Sequence, residues 1–219
     1  SGARQVIKMD FRHWKTKVSI LPLVPILRGI TAGQALSVAH ILRKNGFNSL
    51  EIPMNSPDAV ETISLCVREL GDEMVVGAGT VSRVSEVKVL QEVGCHFIVS
   101  PHSDPAVITA TKSAKMVSVP GVSTPTEAFA ALQAGADALK VFPAELITPK
   151  VFKAWRAVLP RDVWLLPVGG ITPSLLGAYW AVGANGFGLG SALYSEGFST
   201  EEINNRSLTF SEQYQLDCK

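Results

Sequence analysis

The sequence predicts an α/β protein, a closed (β/α)8 TIM barrel of parallel strands with a short helix ahead of the first strand, and three observations carry that prediction. Short apolar runs alternate with runs of helical periodicity from end to end, eight of each. Hydroxyl residues stand where helices should start, most of them followed by proline, and glycines stand where helices should stop. Four such glycines, Gly46, Gly94, Gly135 and Gly183, are spaced by 48, 41 and 48 residues and each leads into an even-numbered strand, a weak repeat of (βα)2 pieces. A chain of 219 residues supplies one sizeable core, so 1–219 is read as one domain.

Ser1-Gly2-Ala3 reads as a cloning remnant and is set aside. The stretch from Asp10 to Lys17 fits a short helix closing the bottom of the barrel. The first strand is expected over Ile20 to Arg28; its apolar run is far shorter than the roughly 20 residues of a membrane helix, and Pro22 and Pro25 interrupt it. Thr31 then caps a helix that carries Ala35, Val38, Ala39 and Leu42 on one face. The second strand, Ser49 to Pro53, is followed by a helix start at Ser56-Pro57, and the third and fourth strands are Met74 to Gly79 and Phe97 to Ser100. After a fifth strand, Met116 to Pro120, Thr124-Pro125 with Glu127 opens a helix bearing Ala128, Ala131, Leu132 and Ala134. The sixth strand, Ala138 to Phe142, leads to a start at Thr148-Pro149, and the seventh, Val163 to Val168, to one at Thr172-Pro173. The eighth is Gly186 to Leu189; residues 200–219, polar and weakly amphipathic, are expected to hold the last helix and then fray.

Twenty lysines and arginines nearly balance nineteen aspartates and glutamates, a net charge of +1, and no basic run is interleaved with aromatics. That argues against a nucleic-acid or anionic-membrane partner and leaves small molecules. Cys66, Cys95 and Cys218 are far apart and lack metal spacing, so they are expected to be reduced thiols of a cytosolic protein, two buried and one on the tail. His13, His40, His96 and His102 show no paired ligand spacing; His102, just past the fourth strand, reads as a loop residue, and no metal is expected.

In such a barrel the reactive residues stand at the carboxyl ends of strands, so charge inside the strands is the feature to look for. Beyond the entering ends, only Arg28, Glu51 and Lys140 qualify. Alternation puts Lys140 on one face with Ala138 and Phe142, while Leu139 and Val141 turn toward the helices; Leu50 and Ile52 likewise face away from Glu51. A lysine among apolar neighbours and near Arg28 loses its ammonium form and becomes a nucleophile able to form a Schiff base with a ketone, with Glu51 as general acid and base. The competing interpretation is a structural Lys140–Glu51 salt bridge. Gly77-Ala78-Gly79-Thr80 ends the third strand, Val168-Gly169-Gly170 the seventh, and Gly188-Leu189-Gly190-Ser191 the eighth, where a short extra helix is expected. Glycines after strands seven and eight are the recurrent phosphate site of this fold, because bare N–H groups can approach the anion.

Several segments together carry a resemblance. They are Glu-Ile-Pro-Met-Asn-Ser (51 to 56), Gly-Ala-Gly-Thr-Val (77 to 81), Ser-Pro-His (100 to 102), Pro-Gly-Val-Ser-Thr-Pro-Thr-Glu (120 to 127), Lys-Val-Phe-Pro-Ala (140 to 144), Pro-Val-Gly-Gly-Ile (167 to 171) and Gly-Leu-Gly-Ser (188 to 191). From about Trp14 to about Tyr194 the chain thereby resembles the KDPG/KHG aldolase family of class I pyruvate aldolases. The resemblance implies a cytoplasmic, homotrimeric carbon–carbon lyase that needs no cofactor and cleaves a 2-keto-3-deoxy sugar acid 6-phosphate into pyruvate and glyceraldehyde 3-phosphate. It places the Schiff base on Lys140, proton transfer on Glu51, the pyruvyl carboxylate on Thr80 and Arg28, and phosphate on Gly169, Gly170, Gly190 and Ser191. Asn55 and Val168 stand where the gluconate-type branch has arginine and threonine, which is similar to the galactonate-type branch acting on the C4 epimer, with Val168 at the substrate's middle carbons. A gluconate-type or dual-specificity aldolase is the alternative within the family; a phosphosugar epimerase or isomerase, or a non-catalytic phospho-ligand-binding barrel, are the alternatives outside it.

Overall fold

The computed structural model describes residues 9–219, so Ser1-Gly2-Ala3 lies outside the described residues. Helix α1 (Phe11–Val18) comes first, and then strands and helices alternate: β1 (Leu23–Pro25), α2 (Ala32–Lys44), β2 (Ser49–Pro53), α3 (Ala59–Leu70), β3 (Val75–Gly79), α4 (Val84–Glu92), β4 (Phe97–Val99) and α5 (Pro105–Ser113). The order continues with β5 (Val117–Val119), β6 (Gly121–Val122), α6 (Pro125–Gln133), β7 (Ala138–Val141), α7 (Pro149–Val158), β8 (Trp164–Pro167), a 3-10 turn (Pro173–Leu175) running into α8 (Leu176–Trp180), β9 (Phe187–Leu189) and α9 (Thr200–Asp217). The expected fifth strand is two pieces, β5 and β6, because Pro120 has no N–H to give the ladder.

All pairings are parallel. The ladders run β2-β3-β4-β5, β6-β7-β8 and β1-β9, and hydrogen bonds join these groups. Leu27 N–H donates to Glu51 O at 2.9 Å, Lys140 N–H to Pro120 O at 2.9 Å, and Asn185 N–H to Leu165 O at 3.0 Å. Each strand position is thus bonded to the next around the whole TIM-type arrangement.

Alternation sorts the strand side chains into two packed layers. Leu23, Leu50, Ile52, Val76, Ala78, Ile98, Leu139, Val141 and Leu165 pack outward with the helices. Val24, Val75, Phe97, Val99, Val117, Val119, Ala138, Trp164 and Leu166 fill the interior. A slip of one residue in any strand would exchange these sets, so burial of both faces pins the register. Helix α1 plugs the interior where the strands begin: Trp14 lies edge-on to Phe97 at 5.7 Å and to Trp164 at 5.6 Å between ring centroids.

The expected helix stops hold: Gly46, Gly94, Gly135 and Gly183 have φ of 94°, 77°, 106° and 102°, a region that an L side chain enters only with strain. Two residues beyond three of them, a polar side chain ties down the strand before. His96 Nδ1 accepts from Val76 N–H at 3.0 Å, Asp137 Oδ2 from Ser118 N–H at 2.9 Å, and Asn185 Oδ1 from Leu165 N–H at 2.9 Å. In three of the four quarters the repeat is therefore a Gly-x-polar device that ends a helix and secures an N–H near the start of the neighbouring strand.

Three expectations are corrected. Ser56 does not cap a helix: α3 starts after Asp58, which sits at φ 44°, and Ser56 Oγ accepts from Gly29 N–H at 3.0 Å, tying the loop after β1 to the loop after β2. The tail does not fray, since α9 continues to Asp217 and packs Phe210 and Tyr214 into the core. Cys218 is accordingly buried like Cys66 and Cys95; burial raises the three thiols to about 11, 11 and 12 for Cys66, Cys218 and Cys95. Among the described residues no helix is long and apolar enough to cross a membrane.

Candidate active site

Glu51 sits mid-strand in β2 and Lys140 in β7, both turned inward by the alternation that sends their neighbours to the helices. They are 2% and 6% exposed, too little for water to solvate either charge. No ion pair within 4.0 Å joins them among the described residues, and Glu51 Oε2 has no hydrogen-bond partner. A directly bonded structural salt bridge is therefore not what these two groups form. Lys140 Nζ instead lies over the Phe142 ring, 4.4 Å from its centroid.

Electrostatics follow from this burial. Loss of water drives the Glu51 carboxyl above the usual carboxylate range, with Lys140 and Arg28 pulling the other way. The same loss drives the Lys140 amine below the usual lysine range; Glu51 opposes that shift and Arg28 adds to it. A neutral amine beside a carboxyl able to carry a proton is the state that burial favours, and it is the state that can attack a carbonyl and move protons. Gly79 serves this geometry: a Cβ there would fall on the Glu51 carboxylate, so the glycine leaves the space that Glu51 occupies.

Above Lys140 the loops after the strands enclose an open cleft of about 570 Å³. Arg28, Thr80, Lys140, Val168, Gly169, Gly170, Gly190 and Ser191 all line it. Glu51 does not; it borders a smaller void beneath, which shares Lys140 and Val168 with the cleft. The eight-residue convergence comes from five different strand ends. Arg28 Nη1 donates to Asn55 Oδ1 at 2.6 Å and to Thr80 Oγ1 at 3.2 Å, which turns the guanidinium across the cleft mouth. Thr80 has φ 55°, a strained value for a β-branched residue, held so that its hydroxyl faces Arg28.

At the opposite wall Gly169 and Gly170 have φ of 110° and 66°. Among the described residues no backbone carbonyl takes the N–H of Gly169, Gly170, Gly190 or Ser191, which leaves these donors for an anion. The short helix expected after the eighth strand is absent. One turn stands there instead, with Leu193 and Tyr194 N–H both donating to Gly190 O at 3.0 and 3.1 Å, because the chain leaves the turn at once for the 195–199 loop.

The sequence reasoning missed five neighbours. In the sequence Asn55 reads only as a departure from a family pattern, yet it holds Arg28. Glu145 is exposed and its side chain lies across Gly169-Gly170, where a Cβ on either glycine would meet it; no spacing signal points to that contact. Tyr194, Ser195 and Glu196 complete the rim from the last loop, a placement that only the tertiary fold makes. His102 is exposed and does not line the cleft. Among the described residues no group of three or more His, Cys, Asp or Glu is placed to hold a metal ion.

Comparison with known proteins finds a family and close similarity over most of the chain. A family model described as KDPG and KHG aldolase matches residues 15–206. The chain is 42% identical over 203 residues to the 2-dehydro-3-deoxy-6-phosphogalactonate aldolase of Escherichia coli (strain K12), covering 93% of this chain and 98% of that protein. It is 43% identical over 187 residues to a probable 2-dehydro-3-deoxy-6-phosphogalactonate aldolase of Rhizobium meliloti (strain 1021), covering 85% and 88% of the two chains. A solved native KDPGal structure superposes with a TM-score of 0.88 at 42% identity, over 90% of this chain and 96% of that one.

Proposed function

The chain belongs to the KDPG/KHG aldolase family, and from that premise we propose that it is a class I aldolase cleaving 2-dehydro-3-deoxy-6-phosphogalactonate to pyruvate and glyceraldehyde 3-phosphate through a Schiff base on Lys140. The observation that carries the mechanism is Lys140 itself. Its amine is buried, free of any ion pair among the described residues, and at the floor of the one cleft where Arg28, Thr80 and the paired glycines also meet. In this reading Arg28 and Thr80 hold the substrate carboxylate and the N–H groups of Gly169, Gly170, Gly190 and Ser191 hold the phosphate. The substrate then lies across Lys140 with its middle carbons passing Val168.

Lys140 Nζ attacks C2, a carbon–nitrogen bond forms, and the ketone oxygen leaves as water with a proton given by the Glu51 carboxyl, which leaves the iminium and the Glu51 carboxylate. Glu51 as carboxylate takes the C4 hydroxyl proton; the C3–C4 bond breaks, its pair becomes the C2=C3 bond of an enamine, and the iminium pair moves to nitrogen. Glyceraldehyde 3-phosphate departs. Glu51 returns a proton to C3, and water hydrolyses the iminium to free pyruvate and the amine. We take the working unit to be a single-domain barrel assembled as a homotrimer in the cytoplasm, on the family resemblance.

Borohydride reduction in the presence of pyruvate, followed by peptide mapping, is the test. The expected adduct sits on the peptide containing Lys140. An adduct on another lysine, or none, rejects the mechanism and favours an imine-free epimerase or a binding protein.

A further inference from the structure

An anion held by backbone N–H groups is held only as well as the directions of those groups are fixed. Gly190 and Ser191 have little to fix them from within. They open the turn 190–194, whose internal bonds are those of Leu193 and Tyr194 N–H to Gly190 O, and a Cβ on Gly190 would touch nothing within 4 Å. Among the described residues no backbone N–H takes the carbonyl of Ala192, the next residue of the turn. A side chain takes it instead: Arg206, in the second turn of α9, donates from Nη1 to Ala192 O at 3.1 Å.

Arg206 is itself firmly placed. Its Nε and Nη2 both donate to Glu202 Oε1, at 3.2 and 2.9 Å, and its guanidinium lies over the Phe198 ring, 4.4 Å from the centroid. Glu202 N–H donates to Ser199 Oγ at 3.1 Å, so the helix cap, the carboxylate and the guanidinium form one chain of contacts that returns to the turn. The helix that carries them is a fixed post. Asn45 Nδ2 donates to Asn204 O at 3.2 Å and to Ser207 Oγ at 2.7 Å, and Ile203 and Phe210 are buried in the core. Thr172 and Pro173, which follow Gly169-Gly170, border the same groove as Ala192 and Arg206, so the guanidinium sits behind both loops of the phosphate cup. It does not line the cleft in front.

We infer that Arg206 is a positioning residue for phosphate recognition, passing the rigidity of α9 to the turn that presents the Gly190 and Ser191 N–H groups. The inference rests on the assignment of the phosphate to those groups. Arg206 touches neither the substrate nor Lys140, so its loss weakens the hold on the phosphate and leaves the chemistry of the pyruvyl end as it was. A lysine keeps the charge but not the planar fork, and a single ammonium does not reproduce the paired bonds to Glu202 together with the bond to Ala192 O.

The test compares the wild-type protein with Arg206→Ala and Arg206→Lys in three measurements: cleavage of the phosphorylated substrate, competitive inhibition of that cleavage by inorganic phosphate, and deuterium exchange of the pyruvate methyl group, which needs no phosphate site. Arg206→Met, which keeps the stem over Phe198, serves if the alanine variant folds poorly. Arg206→Ala is expected to raise KM and the inhibition constant of phosphate together by about tenfold, with kcat and pyruvate exchange within about twofold of wild type. Arg206→Lys is expected to keep most of that defect. An unchanged KM, or an equal loss of pyruvate exchange, overturns the inference, the second by making Arg206 a general prop of the fold. Full recovery in Arg206→Lys also overturns it, since the charge alone would then be what matters. Wild-type protein that inorganic phosphate does not inhibit is a different result, which overturns the phosphate assignment and this inference with it, and wild-type protein that does not exchange pyruvate overturns the Schiff-base mechanism.

Discussion

The two ends of the barrel use the same strands in opposite ways. Where the strands begin, side chains secure the scaffold: His96, Asp137 and Asn185 each accept a neighbouring strand's N–H, Lys112 pairs with Asp137 at 2.6 Å, and Trp14, Phe97 and Trp164 close the interior. Where the strands end, groups are left reactive. Glu51 Oε2 has no partner, Lys140 has an aromatic face in place of an ion pair, Thr80 is strained, and four N–H donors at the paired glycines are not used by backbone carbonyls. The contrast teaches that stability and chemistry are separated along the strand axis, so substitutions at one end should change one property and not the other.

The sharpest way to break that separation is at Lys140. Lys140→Met is expected to bring cleavage to background and remove borohydride trapping, while the melting temperature stays the same or rises because a buried amine is replaced by an apolar side chain of similar volume. Glu51→Gln should keep trapping but slow turnover by about 10² to 10⁴. A large loss of stability in either variant would mean that these residues hold the scaffold after all.

The mirror experiment is Trp164→Ala at the opposite end. Removing this ring should cost about 3–5 kcal/mol in denaturant unfolding, with turnover per folded molecule unchanged. Activity lost without stability lost would place the plug in the chemistry.

His96 gives a pH test of the same end. Burial depresses this histidine from 6.5 to about 4, Lys17 adding to the shift and Asp72 opposing it. The unfolded chain therefore binds the proton first as pH falls. Stability is undiminished above pH 6.5 and declines below it by about 3 kcal/mol in all, the loss ending near pH 4 where the folded protein protonates too. His96→Asn borrows the side chain that does the same work at position 185 and should flatten that limb in urea titrations run across pH 4 to 7. An unchanged slope would assign acid sensitivity to other groups.

The smallest expected effect lies in the cleft. Val168→Thr should shift the ratio of kcat/KM toward the gluconate-type epimer by about tenfold, since a hydroxyl there can partner the C4 oxygen that valine leaves unpaired. A ratio that does not move makes Val168 a packing residue.

Much of this division was legible in the sequence. Period-two alternation located Glu51 and Lys140 on the interior face, and the glycine stops located the even-numbered strands, because both signals arise from local backbone geometry. Ser56 misled because a serine before a proline has the appearance of a cap, whereas its hydroxyl serves Gly29 in another loop. Glu145, Asn55 and Glu196 escaped for a related reason: their roles come from loops that meet only after the strands have closed into a ring. The residue two places past three of the glycine stops was visible but unread, since its partner is on a neighbouring strand about twenty residues earlier.

The ladder between β1 and β9 has a consequence for how the chain reaches its working form. Every other strand contact joins near neighbours in sequence, whereas this one brings residues 23–25 against residues 187–189. It is a seam, and its loop-closure entropy is the largest of any strand pair, though it grows only slowly with length. Arg28 follows the strand on one side of it, and Gly190 and Ser191 follow the strand on the other. Until the seam zips, these residues stand at opposite edges of an open sheet, so the grips on the two ends of a substrate come into register only when the first and last strands have met.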